Sequence, residues 1–195
     1  MAKLYSYIIF LCNFFKYCFR IKHSGLFFIK SNSSILGCEK IIFGKKFFAN
    51  RFLRLEAIGD SKDIILKIGD NVALGESVHI GAFNSIEIKD NVLIGSRVLI
   101  TDHNHGRYSG IHQSSPFEPP VKRQLFSSGP VVIHENVWIG DGVIILPNVE
   151  IGFGTIVAAN SVVSKSLPPY CIAAGTPCKV IKKFHPETQL WDLVK

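Results

Sequence analysis

The sequence predicts a mainly β protein, wound as a parallel β-helix, and three observations predict it. From Ile133 every sixth residue is aliphatic: Ile139, Ile145, Ile151, Val157 and Val163. Two residues before each stands a second column of Val131, Val137, Val143, Val149, Thr155 and Ser161. Between them runs a turn column of Asn136, Gly142, Asn148, Gly154 and Asn160. A period of six matches neither a helix nor a simply alternating strand. It matches short straight segments joined by tight corners, where Asn and Gly adopt positive φ at little cost. Hexapeptide periods of this kind belong to β-helices. The Val and Ile content, the repeated Gly and Pro147 argue against a helix as well.

The chain opens with a very apolar, aromatic stretch from Leu4 to Phe19, followed by Arg20, Lys22 and His23. It lacks the basic start and small-residue cleavage site of a signal peptide. It is also shorter than the roughly 20 apolar residues of a spanning helix. Two readings stand. It is an amphipathic helix lying on the inner face of a membrane, with the basic cluster at the headgroups. Or it is a helix packed on the solenoid end or on a sister subunit. The expected division is an apolar N-terminal helical segment over 1–30, the β-helix over 31–183 and a helical tail over 184–195.

Residues 31–63 carry weak repeat character, with Ile35, Ile41 and Phe47 at six-residue steps. Terminal coils of a solenoid are atypical because they must stop further stacking. The period sharpens at Ile68, Leu74, Ile80 and Ile86, slips by two, and resumes at Ile88, Ile94 and Ile100. The slip places a bulge or corner insertion near residues 84–87. Residues 102–130 then hold no hexapeptide register, and the array resumes at Val131 in phase. Long irregular loops in compact domains tend to be functional, and this one carries His103, His105 and His112. Prolines and Gly175 end the coils. A short closing helix is expected over 186–194, with Pro186 in its first turn.

The net charge of +7 favours an anionic partner: nucleic acid, an acidic membrane surface or a phosphorylated small molecule. Nucleic acid is disfavoured, since there is no recognition helix and no aromatic–basic interleaving. Five cysteines without a CxxC pair argue for reduced thiols and a cytoplasmic protein.

Four motifs together carry a family resemblance: Thr101-Asp-His-Asn-His-Gly106, Asn136-Val-Trp-Ile-Gly140, the run from Ala159 to Lys165, and Ala174-Gly-Thr-Pro-Cys-Lys-Val-Ile181. Over residues 68–183 the chain resembles the hexapeptide-repeat acyltransferases. It is most similar to the sugar O-acetyltransferases of lipopolysaccharide and O-antigen assembly, and over its second half to the galactoside and maltose acetyltransferases. The resemblance implies a left-handed β-helix, acetyl-CoA as acyl donor, a sugar hydroxyl as acceptor, no metal, and a homotrimer with active sites between subunits.

Acetyl transfer to an alcohol needs a base, and histidine, with an ordinary pKa of about 6.5, suits it. The resemblance makes His103 that base and His105 the reserve. Asp102 orients an imidazole or caps a turn. Trp138 interrupts a column of small residues; it lines the acceptor pocket or the pantetheine arm, or packs outward on the loop or a neighbour. Asn84 is a candidate for bonding acceptor hydroxyls. The resemblance places Asp141, Ala159, Ser164 and Lys165 along the pantetheine groove, and Lys179 and Lys182 near the CoA phosphates. Asp141 departs from the small hydroxyl residue found there in sugar acetyltransferases. Two histidines without further ligands do not make a metal site. The competing readings are transfer to another small acceptor, such as an amino sugar, serine or an antibiotic, and a non-catalytic scaffold.

Overall fold

The structure, a computed structural model, describes residues 14–59 and 61–194. Strands of two to four residues stack in parallel as the three faces of a left-handed β-helix. The first sheet runs Lys22–His23, Ile41–Phe43, Leu66–Ile68, Ile86–Ile88, Val131–Ile133 and Glu150–Ile151. The second starts at Phe27–Ile29 and passes through Phe47–Ala49, Ala73–Leu74, Leu93–Ile94, Trp138–Ile139 and Ile156–Val157 to Cys171–Ala174. The third holds Ser34–Leu36, Arg54–Ala57, His79–Ala82, Leu99–Thr101, Ile144–Ile145 and Val162–Val163.

Both periodic columns point inward. Ile133, Ile139, Ile145, Ile151, Val157 and Val163 are fully buried, and so is the column from Val131 to Ser161. Burying each such aliphatic side chain contributes roughly 1.5–3 kcal/mol. All five residues of the turn column take positive φ, from 58° at Asn160 to 67° at Gly142. The register slip falls at residues 83–85, the corner between His79–Ala82 and Ile86–Ile88.

Three expectations are corrected. The β-helix begins at Lys22, not at 31, because Lys22–His23 and Phe27–Ile29 already pair with the coil above. Aromatic side chains fill these first coils, with the Phe43 ring against both Phe27 and Phe47, so the aliphatic period is hidden there. The apolar stretch before residue 14 lies outside the described residues. Residues 14–18 are helical, and Tyr17 and Ile21 are buried against the stack. Phe14 meets the Phe27 ring at 5.1 Å. The packed reading therefore holds for this part, while Phe15 and Phe19 face outward.

The closing helix is absent. Residues 179–193 form a hairpin instead, in which Lys179–His185 and Leu190–Leu193 extend the second sheet antiparallel. Pro186 opens the turn rather than a helix, and Gln189 closes it in the left-handed region, its side chain donating to the Pro186 carbonyl. Trp191 then packs on Phe184. The strand crosses residue 183, so no separate tail starts at 184.

The excursion over 102–130 is also less irregular than its sequence. Asn104–His105 pairs antiparallel with Leu125–Phe126, and Pro120–Lys122 makes one 3₁₀ turn.

Candidate active site

The site forms where the third sheet hands the chain back to the first. Asp102 is the first residue of the excursion and is fully buried. Its carboxylate accepts the backbone N–H groups of Phe83, Asn84 and Ser85 at 2.6–2.8 Å. Burial pushes its pKa up, but the bonds from His103 and these three amides outweigh that and hold it below the usual carboxylate value. Asp102 thus stays ionised and ties the slipped corner to the base of the excursion.

His103 stands beside it. Its Nδ1 lies 3.1 Å from Asp102 Oδ1 and 3.3 Å from Thr101 Oγ1. An ionised carboxylate only accepts, so Nδ1 carries the proton and donates. Thr101 Oγ1 donates to the His103 carbonyl and has a lone pair left for the same Nδ1–H. In the neutral ring this tautomer leaves Nε2 as the nitrogen with a free lone pair. Phe83 packs against the ring at 5.8 Å between centroids, and the side chain keeps only 13% exposure.

The imidazole opens on a cleft of about 420 Å³ lined by Arg54, Glu56, His79, Gly81, Thr101 and His105 among others. Gly81 makes room for the ring: a Cβ there would lie 3.3 Å from His103 Cε1 and 3.8 Å from His79 Nε2. His105 lines the same cleft from the ribbon but is exposed, and among the described residues no carboxylate pairs with its ring. Asn84 is drawn to the site by its amide bond to Asp102, its side chain exposed.

Comparison with known proteins bears on what this cleft belongs to. Residues 130–165 match the model of the bacterial transferase hexapeptide family, described as six repeats. An Escherichia coli protein named as the lipopolysaccharide biosynthesis O-acetyl transferase WbbJ is 42% identical over 153 residues, which cover 78% of this chain and 76% of that one. The chain belongs to the hexapeptide transferases. The galactoside O-acetyltransferase of Escherichia coli is 32% identical, covering 64% of this chain and 66% of that one. Among solved structures, a variant of AntD, an N-acyltransferase from Bacillus cereus in complex with dTDP and coenzyme A, superposes with a TM-score of 0.70 at 26% identity over 86% of each chain. This hexapeptide transferase is an acetyltransferase.

None of the remaining expected site residues of this hexapeptide transferase lines the His103 cleft. Trp138 points outward from the second sheet, half exposed, between Leu93 and Ile156. Asp141 and Ala159 sit at the corner entering the third sheet. Asp141 Oδ1 accepts the Ser96 amide at 2.8 Å, as Ser96 Oγ accepts the Glu76 amide one coil below. The Asp141 carboxylate thus ties two coils together at this corner. The neighbouring column of Gly75, Gly95 and Gly140 stacks too closely for any side chain: a Cβ on Gly140 would stand 2.6 Å from the Ala159 nitrogen. A bare backbone edge results. Ser164 and Lys165 are exposed at the corner leaving the third sheet, and Lys179 and Lys182 lie on the terminal hairpin.

Sequence reasoning missed Arg54, Glu56, His79 and Gly81. Stepping back one coil from Thr101 reaches Gly81, and from Leu99 reaches His79, so those two were within reach of the period. Glu56 was not, because the next step down crosses the insertion at 58–65.

Proposed function

We propose that the chain transfers acetyl from acetyl-CoA to a hydroxyl of a sugar in a cell-surface polysaccharide, such as O-antigen, lipopolysaccharide or capsule, or in its precursor. The observation that supports this reading is an imidazole held at Nδ1 by the buried Asp102 and lining a cleft, an arrangement in which the neutral ring offers Nε2 as the base. The acceptor O–H gives its proton to Nε2 while its oxygen attacks the thioester carbonyl. The C–S bond then breaks, and the thiolate takes the proton back from Nε2–H. The thioester has a good leaving group, so no covalent enzyme intermediate is needed. Backbone N–H groups or loop groups stabilise the tetrahedral oxyanion.

The pantetheine arm suits the bare edge of Gly75, Gly95 and Gly140, where Asp141 and Ala159 offer backbone groups. Ser164 and Lys165 border the same coils, and Lys179 and Lys182 meet the phosphates. The outer face of the second sheet carries an apolar row of Phe48, Ala73, Leu93, Trp138, Ile156 and Ile172, paired rung to rung. A homotrimer would bury this row and bring Trp138 to a neighbour's cleft. Phe15 and Phe19, with Lys16 and Arg20 between and beside them, suit peripheral contact with the inner face of an anionic membrane, the rest of the molecule lying in the cytoplasm. Among the described residues no helix is long and apolar enough to cross a membrane.

A second reading, transfer to the amine of a nucleotide-linked amino sugar, is supported by the likeness to the AntD complex with dTDP and coenzyme A. The test of both is thiol release from acetyl-CoA over a panel of methyl hexopyranosides and dTDP-amino sugars, with the product treated with hydroxylamine. The first reading expects an ester that hydroxylamine cleaves. It also expects His103→Ala to lose transfer while CoA binding persists. A hydroxylamine-resistant amide supports the second reading, and undiminished turnover by the variant removes His103 from the role.

A further inference from the structure

Three side chains in the cleft have no part in the chemistry so far. The third sheet turns alternate residues outward, so Arg54, His79 and Leu99 form one row across it, and Glu56, Gly81 and Thr101 the next. The residues between them, Leu55, Ile80 and Ile100, are fully buried. The outer rows are therefore rigid: each side chain leaves a backbone locked by inter-coil bonds on both sides.

Glu56 is the centre of these rows. Its Oε1 accepts from Arg54 at 2.6 Å and its Oε2 pairs with His79 Nε2 at 2.8 Å. Burial raises its pKa, but the bonds from Arg54 and His79 prevail and keep it below the usual value. It is held ionised and held still. Each carboxylate oxygen has two lone pairs, and one on each is taken. Two acceptor positions remain, on a side chain that is 22% exposed and faces the space above Gly81. His103 borders that space from the other side.

We infer that the Arg54–Glu56–His79 cluster docks the acceptor, with the Glu56 carboxylate receiving hydroxyls adjacent to the one that His103 deprotonates. The ligand group is a neutral polyol edge. Glu56 neutralises Arg54, which makes the cluster a poor seat for phosphate or carboxylate, and its free positions accept hydrogen bonds rather than donate them. Gly81 leaves the floor flat beneath a pyranose ring, and Ile58, Leu99 and Leu125 supply apolar margins. Arg54 and His79 act as positioning residues: they fix the carboxylate so that the adjacent hydroxyls set the reacting one against Nε2. This inference rests on the sugar reading above.

The test uses the full-length protein, acetyl-CoA, the methyl hexopyranoside of the panel that turns over fastest, and each of its monodeoxy analogues. Glu56→Gln should raise the acceptor KM about ten- to a hundredfold, the range of a lost hydrogen bond to a charged group, and leave the acetyl-CoA KM unchanged. One deoxy analogue should lose a similar factor with the wild type and almost nothing more with Glu56→Gln, because the variant and the missing hydroxyl remove the same bond. His79→Gln should show a smaller acceptor-KM increase with the same selectivity. An unchanged acceptor KM in Glu56→Gln overturns the inference. So does equal discrimination among the deoxy sugars by wild type and variant, or a parallel rise of both KM values with a lowered thermal midpoint, which would mark Glu56 as structural. A wild type that acetylates sugars while ignoring Glu56 sinks this inference alone; a wild type that acetylates no sugar of the panel sinks the sugar reading with it.

Discussion

Two corners of the same prism follow different rules. Between the second and third sheets every coil turns in four residues: 30–33, 50–53, 75–78, 95–98, 140–143 and 158–161. The third residue of each takes φ between 56° and 67°, whether it is Asn32, Phe52, Ser77, Arg97, Gly142 or Asn160. Between the third and first sheets the connections are 37–40, 58–65, 83–85, 102–130 and 146–149. Stacking demands uniformity at the first corner, because a coil that turned differently would lose register with both neighbours. The other corner admits insertions that leave the prism and return in phase. His103, Asp102 and Asn84 all lie on those insertions, so the uniform corner supplies rigidity and the variable one supplies chemistry.

That contrast can be broken from either side. The largest effect belongs to Asp102, where the variable corner is tied down. Asp102→Ala takes the acceptor from three part-buried amides, at about 1–3 kcal/mol for any of them left without water, and releases the His103 ring. We expect transfer below 1% of wild type, on the order of the loss when a general base is misplaced, and a lowered thermal midpoint. Asp102→Asn keeps the volume and separates the two roles: activity should fall far more than stability. The pH dependence has a definite sign. A carboxylate whose folded pKa is depressed stabilises the fold above its unfolded pKa of about 3.9 and loses that contribution as pH falls through the folded value. Thermal midpoints of the wild type should drop in that acidic window, and Asp102→Asn should show a shallower drop. An identical acid profile for both would refute the ionised carboxylate.

A smaller effect is expected at Gly81. Ala there puts a methyl 3.3 Å from His103 Cε1, so the ring shifts by a few tenths of an ångström with little strain elsewhere. We expect kcat to fall roughly tenfold, since displacements approaching 1 Å cost about a hundredfold, with the thermal midpoint nearly unchanged. Unaltered kcat would show that the ring position is not critical.

The smallest effect belongs to the uniform corner. Arg97 holds a left-handed conformation at φ 56° that costs a side-chain-bearing residue about 1 kcal/mol. Its contact with Asp141, at 3.8 Å on the surface, offsets little of this. Arg97→Asn should therefore raise the thermal midpoint by a few degrees without touching activity. A fall would mean that the guanidinium contributes more than its exposure suggests.

The same contrast decides what the sequence disclosed. From Val131 to Ser164 each residue type answers to one constraint, inward, outward or corner, so the inner columns and the positive-φ positions could be read directly. The first coils obey the same geometry but fill it with Phe27, Phe43 and Phe47, and the aliphatic period disappears although the coil does not. At the other end, Pro186 has the same appearance before a helix as in a hairpin turn, and only the pairing of Lys179–His185 with Leu190–Leu193 decides between them. His103 was reached through the family resemblance of the motif from Thr101 to Gly106, at the point where the period breaks. Glu56 and His79 were not reached, because they occupy ordinary outward positions in regular strands, and only stacking carries them to the same cleft.

The most direct test of the account is the protonation of one ring. Histidine-selective ¹⁵N labelling, with the His103 signal assigned by its absence in His103→Gln, reads which nitrogen carries the proton at neutral pH. The proton is expected on Nδ1, with a bare Nε2, in the wild type, and that preference should be lost in Asp102→Asn. A wild-type ring protonated on Nε2, or a ring indifferent to the Asp102 change, would contradict it.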